Sequence, residues 1–197
     1  MSLSRESARV FTCLKEYGLL LQTDASLPNI CALVAGAPVR GSWWAHPKSH
    51  DIFRVNCDLA EHPDVLVVKL ISGKVTYLHR LVWPAVLAIG QAREPWQMDG
   101  LSPQAHQLLD QVEHEPVHQS TKTASELETR LLVFSEQFHT ETGAHAKRLE
   151  SWEHWSKRTG FAGKPMTHAR ARVLLEDVVS TLNRRFKAKG KLPWGRS

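Results

Sequence analysis

The densest run of titratable side chains is Ser135, Glu136, His139, Glu141, His145 and Glu150. On a strand, Gln137, His139 and Glu141 share one face by the two-residue period, and a turn through Glu141-Thr142-Gly143 returns His145 to their neighbourhood. Carboxylate beside imidazole is the material of general acid–base catalysis or of a metal-dependent hydrolase. The spacing His-x-Glu-x3-His is not the HExxH of a zinc protease, and no PCxxC accompanies it as in a nucleobase deaminase. The expectation is therefore no bound metal and no cofactor, with Glu136, His139, Glu141 and His145 as acid–base candidates. A solvated polar hairpin is the alternative.

Lys69 lies between Val68 and Leu70. An amine in apolar surroundings has a lowered pKa and can attack an aldehyde, such as that of an abasic site in DNA, to form a Schiff base. Lys74, nearer the turn, is better placed to touch a phosphate. For both lysines the competing arrangement is an aliphatic stem lying on the sheet with its ammonium in water.

The segment Gly41-Ser42-Trp43-Trp44-Ala45-His46-Pro47-Lys48-Ser49-His50 is the most unusual in the chain. Two adjacent tryptophans cannot both point inward from a regular element. An aromatic face beside His46, Lys48 and His50 could stack on an unpaired base and hold its phosphate. The alternative is that both indoles seal the gap between the two halves of the chain.

These groups need elements to hold them. Val10, Leu14, Tyr17 and Leu21 recur at three- and four-residue steps and predict a first helix over Ser4 to Gln22. Leu27-Pro28 opens a second, Asn29 to Val34, closed by Gly36 and Pro38. Pro47 starts a third, Pro47 to Glu61, with Ile52, Phe53, Asn56 and Leu59 toward the core and His62-Pro63 ending it. Val65 to Ile71 and Val75 to Trp83 are β-branched and aromatic runs separated by Ser72-Gly73, which predicts a hairpin. In the register of that two-residue loop Leu70 faces Val75, Val68 faces Tyr77 and Leu66 faces His79. Lys69 then faces Thr76 and Val65 faces Arg80, giving one apolar face and one mixed face.

Three helices followed by a hairpin is the order of a winged-helix domain, whose third helix enters the major groove while the hairpin forms the wing. Winged helices also serve as protein-interaction modules. Past the apolar segment opened by Pro84, helices are expected from Ser102-Pro103 to Gln111 and from Thr123-Ala124-Ser125 to at least Leu131. A second hairpin, Leu132 to Thr140 with His145 to Trp152, competes with a continuous helix through Gly143. A short helix Trp152 to Lys157 and an amphipathic helix Thr167 to Phe186 follow. The fold class is α+β and mostly helical. Residues 1–100 form a winged-helix-like domain, 101–183 a helical domain with its own hairpin, and 184–197 a basic tail.

Arg184, Arg185, Lys187, Lys189, Lys191 and Arg196 put six positive charges and no acid into the last fourteen residues, leaving the rest of this +5 chain near −1. Such a segment attracts phosphate without reading sequence, or is simply a solvated terminus. Arg80 at the hairpin's end extends the set. With 197 residues, 42% of them hydrophobic, the chain can bury a sizeable core, which excludes disorder and disulfide-stapled miniproteins. Cys13, Cys31 and Cys57 lie in apolar stretches with no CxxC spacing and read as reduced thiols. No apolar run approaches the roughly 20 residues of a membrane span, and Met1 to Val10 lacks the apolar block of a signal peptide, so a cytoplasmic protein is expected. GxxxxGK[ST], GxGxxG and GxSxG are absent, which leaves nucleotide hydrolysis, dinucleotide binding and α/β-hydrolase chemistry without their usual signs.

The three-helix-plus-hairpin order, the tone of Asp64 to Trp83, the second helix-and-hairpin unit and the basic tail together resemble winged-helix DNA-repair proteins of the AlkZ glycosylase type. The resemblance implies a preference for double-stranded DNA, intact or damaged; with the Schiff-base chemistry open to Lys69, any enzymatic activity is expected to be that of a DNA glycosylase or abasic-site lyase. That family carries a catalytic Gln-x-Gln and this chain has none, so no catalytic residue carries over. The expectation is a winged-helix DNA-binding protein acting in DNA repair or processing. A non-enzymatic transcriptional regulator or partner-binding module of the same fold, and a metal-dependent hydrolase, are the alternatives.

Overall fold

The computed structural model describes residues 3–119, 122–139, 145–161, 163 and 166–195, with only the backbone of 137–139 and of 145–146. The chain is mixed α/β, mostly helical, with two small antiparallel sheets. It divides into two compact units. One comprises residues 1–83 and 173–197, the other 84–172. Residues 84–100, read in sequence with the first domain, thus belong to the second unit, and residues 184–195 belong to the body of the first.

In the first unit, α1 (Arg5–Tyr17) starts at Ser4, whose hydroxyl accepts from the Ser7 N–H, and buries Ser7, Val10 and Leu14 on one face. It ends at Gly18, in the left-handed conformation with φ 77°, whose N–H donates to the Leu14 carbonyl. The expected helix to Gln22 is therefore too long. Leu19, Leu20 and Leu21, all fully buried, form strand β1 (Leu19–Leu21) instead. Three consecutive buried leucines would span more than half the circumference of a helix; a strand covered on both faces accommodates them. Helix α2 (Ile30–Ala35) is capped by the Asn29 side chain and closed by Gly36 at φ 86°. Helix α3 (Ser49–Ala60) buries Ile52, Val55, Asn56 and Leu59. Phe53, expected in the core, is 45% exposed because it lies one helical step off that face.

Strands β2 (Val65–Lys69) and β3 (Val75–His79) form the hairpin, and β1 pairs with the other edge of β3, giving the order β1-β3-β2. The register differs from expectation by one residue: Lys69 faces Val75, Val67 faces Tyr77, and Val65 faces His79. The connection is Leu70 to Lys74, not the two-residue Ser72-Gly73 loop. Ser72 (φ 52°) and Gly73 (φ 71°) turn the chain, and the Lys74 N–H donates to the Ile71 carbonyl. Leu70 and Ile71 do not extend the strand, because both are buried as plugs beneath the turn. One residue of slip exchanges the faces. Leu20, Val65, Val67, Val75 and Tyr77 join the helical core of Val10, Leu14, Ile30, Val34, Ile52, Val55 and Leu59. The Tyr77 hydroxyl donates to Asn56 Oδ1 at 2.8 Å, and Asn56 Nδ2 donates to the Ile52 carbonyl at 2.7 Å, so this buried amide is satisfied. Leu66 and Leu78 on the other face are buried too, so the sheet is apolar on both sides.

The second unit holds α4 (Trp83–Gly90, of which Trp83 belongs to the first unit), α5 (Pro95–Met98), α6 (Pro103–His114), β4 (Val117–His118), α7 (Lys122–Thr129), β5 (Phe134–His139), β6 (His145–Glu150) and α8 (Trp152–Thr159). Helix α7 stops before Leu131, which takes φ 54°. Residues 134–139 and 145–150 pair as antiparallel strands rather than forming a continuous helix, and the turn expected at Glu141-Thr142-Gly143 falls outside the described residues. Sheet order here is β4-β6-β5. The core gathers Ala105, Leu108, Leu109, Val112, Leu127 and Leu149. Gly90 lies so close to the Trp152 indole that a Cβ would fall 2.2 Å from its Nε1, which in turn donates to the Leu131 carbonyl at 2.6 Å. The last helix, α9 (His168–Phe186), contributes its residues from Val173 onward to the first unit.

Candidate nucleic-acid interface

A short 3-10 turn, Trp43–Ala45, precedes α3 and sets the two tryptophans apart. Trp43 is buried in the helical core, and Trp44 is 62% exposed. Their rings stack with centroids 3.9 Å apart and planes 25° apart, and Phe53 lies 5.7 Å from Trp44. The outer indole is thus an aromatic face held in place by the inner one. His46 and His50 follow it in the chain: Nδ1 of His46 accepts from the Lys48 N–H, and His50 is exposed in the first turn of α3. Lys48 has another task. Its Nζ donates to the Val34 and Ala35 carbonyls at 3.1 and 3.3 Å, where a cation offsets the negative end of α2. Arg54, on α3, is paired with Asp51 at 3.0 Å and Glu6 at 3.5 Å.

The hairpin turn and the basic segment meet. The Ser72 N–H donates to the Lys191 carbonyl at 2.8 Å, and the Lys191 N–H donates to Ser72 Oγ at 3.3 Å. A second pair of bonds fixes the same loop to α9: Asn183 Nδ2 donates to the Gly190 carbonyl at 2.9 Å, and the Gly190 N–H donates to Asn183 Oδ1 at 2.8 Å. Gly190 is required there, since a Cβ would stand 2.7 Å from Leu27 Cδ1 and 3.0 Å from Ile71 Cγ2. Leu192 is buried beyond it. The segment is therefore an ordered strap. Lys187, Lys189 and Lys191 are exposed along it, and no carboxylate among the described residues pairs with them or with Arg184. Arg185 differs, being paired with Glu16 at 2.9 Å and lying over the Tyr17 ring at 4.8 Å. Arg196 lies outside the described residues.

Lys74 is bonded to Asp24 at 2.7 Å. Partial burial by itself raises the Asp24 pKa, but hydrogen bonds from Lys74 and from the Ser26 and Leu27 N–H groups outweigh it, and the net shift is downward. Arg80 pairs with Asp64 at 3.2 Å and lies 5.9 Å from the Trp83 ring.

The catalytic candidates fall in different units. Lys69 is half-buried at the end of β2 in the first unit. Glu136 lies on β5 in the second unit, opposite Arg148, with its carboxylate 3.8 Å from Arg158. His139 and His145 pair across the same hairpin through their backbones, their side chains being outside the described set, as is all of Glu141. Glu150 is buried and accepts three hydrogen bonds of 2.9–3.0 Å from Arg158, with Arg148 at 2.6 Å, so its role is that of an ion-pair centre. Among the described residues no cluster of three or more His, Cys, Asp or Glu is arranged to hold a metal, and no helix is long and apolar enough to cross a membrane. The residues that sequence reasoning passed over are Asp24 and Asn183, which anchor the loop and turn; Ser72, read there only as a turn residue, also bonds the turn to Lys191.

No family model, curated protein or solved structure matches the chain.

Proposed function

We propose that the protein is a winged-helix DNA-binding protein that grips the phosphate backbone through the lysine strap and the adjoining hairpin turn. The winged-helix reading is supported by the order α1-β1-α2-α3-β2-β3, with β1 on the outer side of β3. The DNA reading is carried by one observation: Lys187, Lys189 and Lys191 stand exposed on a backbone bonded to the turn at Ser72. An ordered row of cations meets a phosphate chain with less conformational entropy to lose than a frayed tail has. Contacts of this class position the protein and carry no base information. The reading commits to binding, because the exposed lysines support phosphate contact, while the side chains of His139, Glu141 and His145 lie outside the described residues. The resemblance to AlkZ-type glycosylases makes damaged duplexes the natural DNA to compare with intact ones.

The test is titration of labelled duplexes of unrelated sequence at rising salt. Equal affinities that fall steeply with salt are expected, and no binding at 50 mM salt overturns the proposal. A second reading, a partner-binding module of the same fold, is favoured by the exposed Trp44 and Phe53. Trp44→Ala with Phe53→Ala that leaves DNA binding intact but abolishes a protein contact would assign that face to a partner.

A further inference from the structure

The strap does more than carry lysines, because it encloses a groove against α9. Residues 188, 190, 192 and 194 contribute one wall, and Glu176, Ser180, Asn183 and Arg184 the other, around an open cavity of about 530 Å³. The ends are held by polar contacts: Trp194 Nε1 donates to Glu176 Oε1 at 2.8 Å, and Asn183 clamps Gly190. Along the strap, exposed lysines at 187, 189 and 191 alternate with the residues that line the groove. Arg184 is both a lining residue and an exposed cation, and its Nη2 donates to Thr181 Oγ1 at 3.3 Å. The groove therefore combines an aromatic residue, the apolar side chains of Val179, Ala188 and Leu192, a few polar groups and a cationic rim. That is the chemistry of a nucleotide: a flat, largely apolar ring with hydrogen-bonding edges, joined to a phosphate.

We infer that this groove receives an unstacked nucleobase, with the Trp194, Val179 and Leu192 side chains against its ring, Ser180 and Glu176 at its polar edge, and the flanking phosphates at Arg184 and the strap lysines. The inference rests on the DNA-binding reading and adds to it a preference for DNA presenting an unpaired base over an intact duplex. Such a base comes either from a single strand or from a duplex in which it has left the stack, and extrusion is easiest where its partner is missing.

The experiment measures anisotropy of three labelled probes: an oligo-dT single strand, a duplex with one base opposite an abasic site, and an intact duplex. Ser180 is exposed on α9, so Ser180→Trp fills the groove without touching the bonds that hold the strap. It is expected to weaken the single-strand and abasic-opposed probes about 10-fold, the loss of one stacked base, while leaving the intact duplex unchanged. Trp194→Ala, which also removes the Glu176 bond at the end of the strap, should weaken those two probes at least as much. A melting curve run alongside confirms that the strap is still docked, and Ser180→Trp carries the test if Trp194→Ala melts early. A loss confined to the single strand assigns the groove to single-stranded DNA, and a loss on both assigns it to any extruded base. If Ser180→Trp binds all three probes like the parent, the groove is not a base site and the duplex-binding proposal stands. If no probe binds the parent at 50 mM salt, both fall together. Displacement of oligo-dT by polyglutamate that Ser180→Trp abolishes would make the groove an acidic-peptide site and overturn the inference.

Discussion

Replacing Lys187, Lys189 and Lys191 together by Gln removes three exposed charges that no described carboxylate neutralises, and keeps the backbone bonds that dock the strap. If each lysine neutralises one phosphate, the slope of log affinity against log salt falls in magnitude by about 2.7. Over a fourfold rise in salt, from about 50 to 200 mM, the parent should then lose about 40-fold more affinity than the variant. Anisotropy titrations of a labelled duplex at four salt concentrations measure this directly, and the change should be the same for duplexes of unrelated sequence. Point substitution is the right perturbation. Truncation after Asn183 would also remove the buried Leu192 and the Gly190 backbone packed on Leu27 and Ile71, so lost affinity could reflect a damaged core. A slope unchanged by the triple variant, with its melting temperature unchanged as well, would refute the strap as the phosphate-binding element.

Three other outcomes follow from the packing. Tyr77→Phe leaves the buried Asn56 Oδ1 with only the 3.5 Å bond from Gln22 Nε2 and should cost about 1–3 kcal/mol in denaturant unfolding, with a negligible change meaning that Gln22 closes in to replace it. His79 has its pKa lowered, chiefly by burial and despite the nearby Asp64, and its Nδ1 accepts the Leu81 N–H. The unfolded state therefore takes up the proton more readily: the contribution of His79 is complete above about pH 6.5 and is lost as pH falls through the folded value, so His79→Gln should flatten the decline in stability from pH 7 to 5. Borohydride added to the protein on an abasic duplex should trap no covalent adduct, whereas a trapped species lost in Lys69→Ala would assign lyase chemistry to β2.

The helices were legible where caps and periodicity agree. Asn29 and Gly36 bracket α2, and the Ile52, Asn56 and Leu59 spacing orients α3. Two of the departures in the first unit, the end of α1 and the register of the hairpin, share a cause: an apolar run carries no mark of which period it obeys until something interrupts it. Leu19 to Leu21 continue the step of α1 by composition, and only Gly18, with its left-handed φ, reveals the break. Likewise Leu70 and Ile71 extend β2 by residue type, but burying them under the turn lengthens the loop and shifts every pair of the hairpin by one. Register depends on where a side chain finds its cavity, and that information is not local to the strand.

The proposed interface was legible in its charges and hidden in its geometry. Six cations near a terminus read equally well as a frayed tail, and the feature that separates the two readings is what lies between the cations. Ala188, Gly190 and Leu192 alternate with Lys187, Lys189 and Lys191. That is the two-residue period of an extended segment with one side turned toward protein and the other toward water. Leu192 is buried, Gly190 takes the position where no side chain fits, and the lysines are left outside. Seven residues upstream of that glycine, Asn183 supplies both a donor and an acceptor to its backbone, a pairing that sequence spacing alone does not announce because it depends on the chain reversing after Phe186. The tryptophan pair was the easier case: adjacency forces one indole outward, and here the outer ring is held by stacking on the inner. Charge composition therefore points to an acidic partner, while the alternation within the strap is what turns a diffuse positive tail into a surface with a fixed spacing of cations.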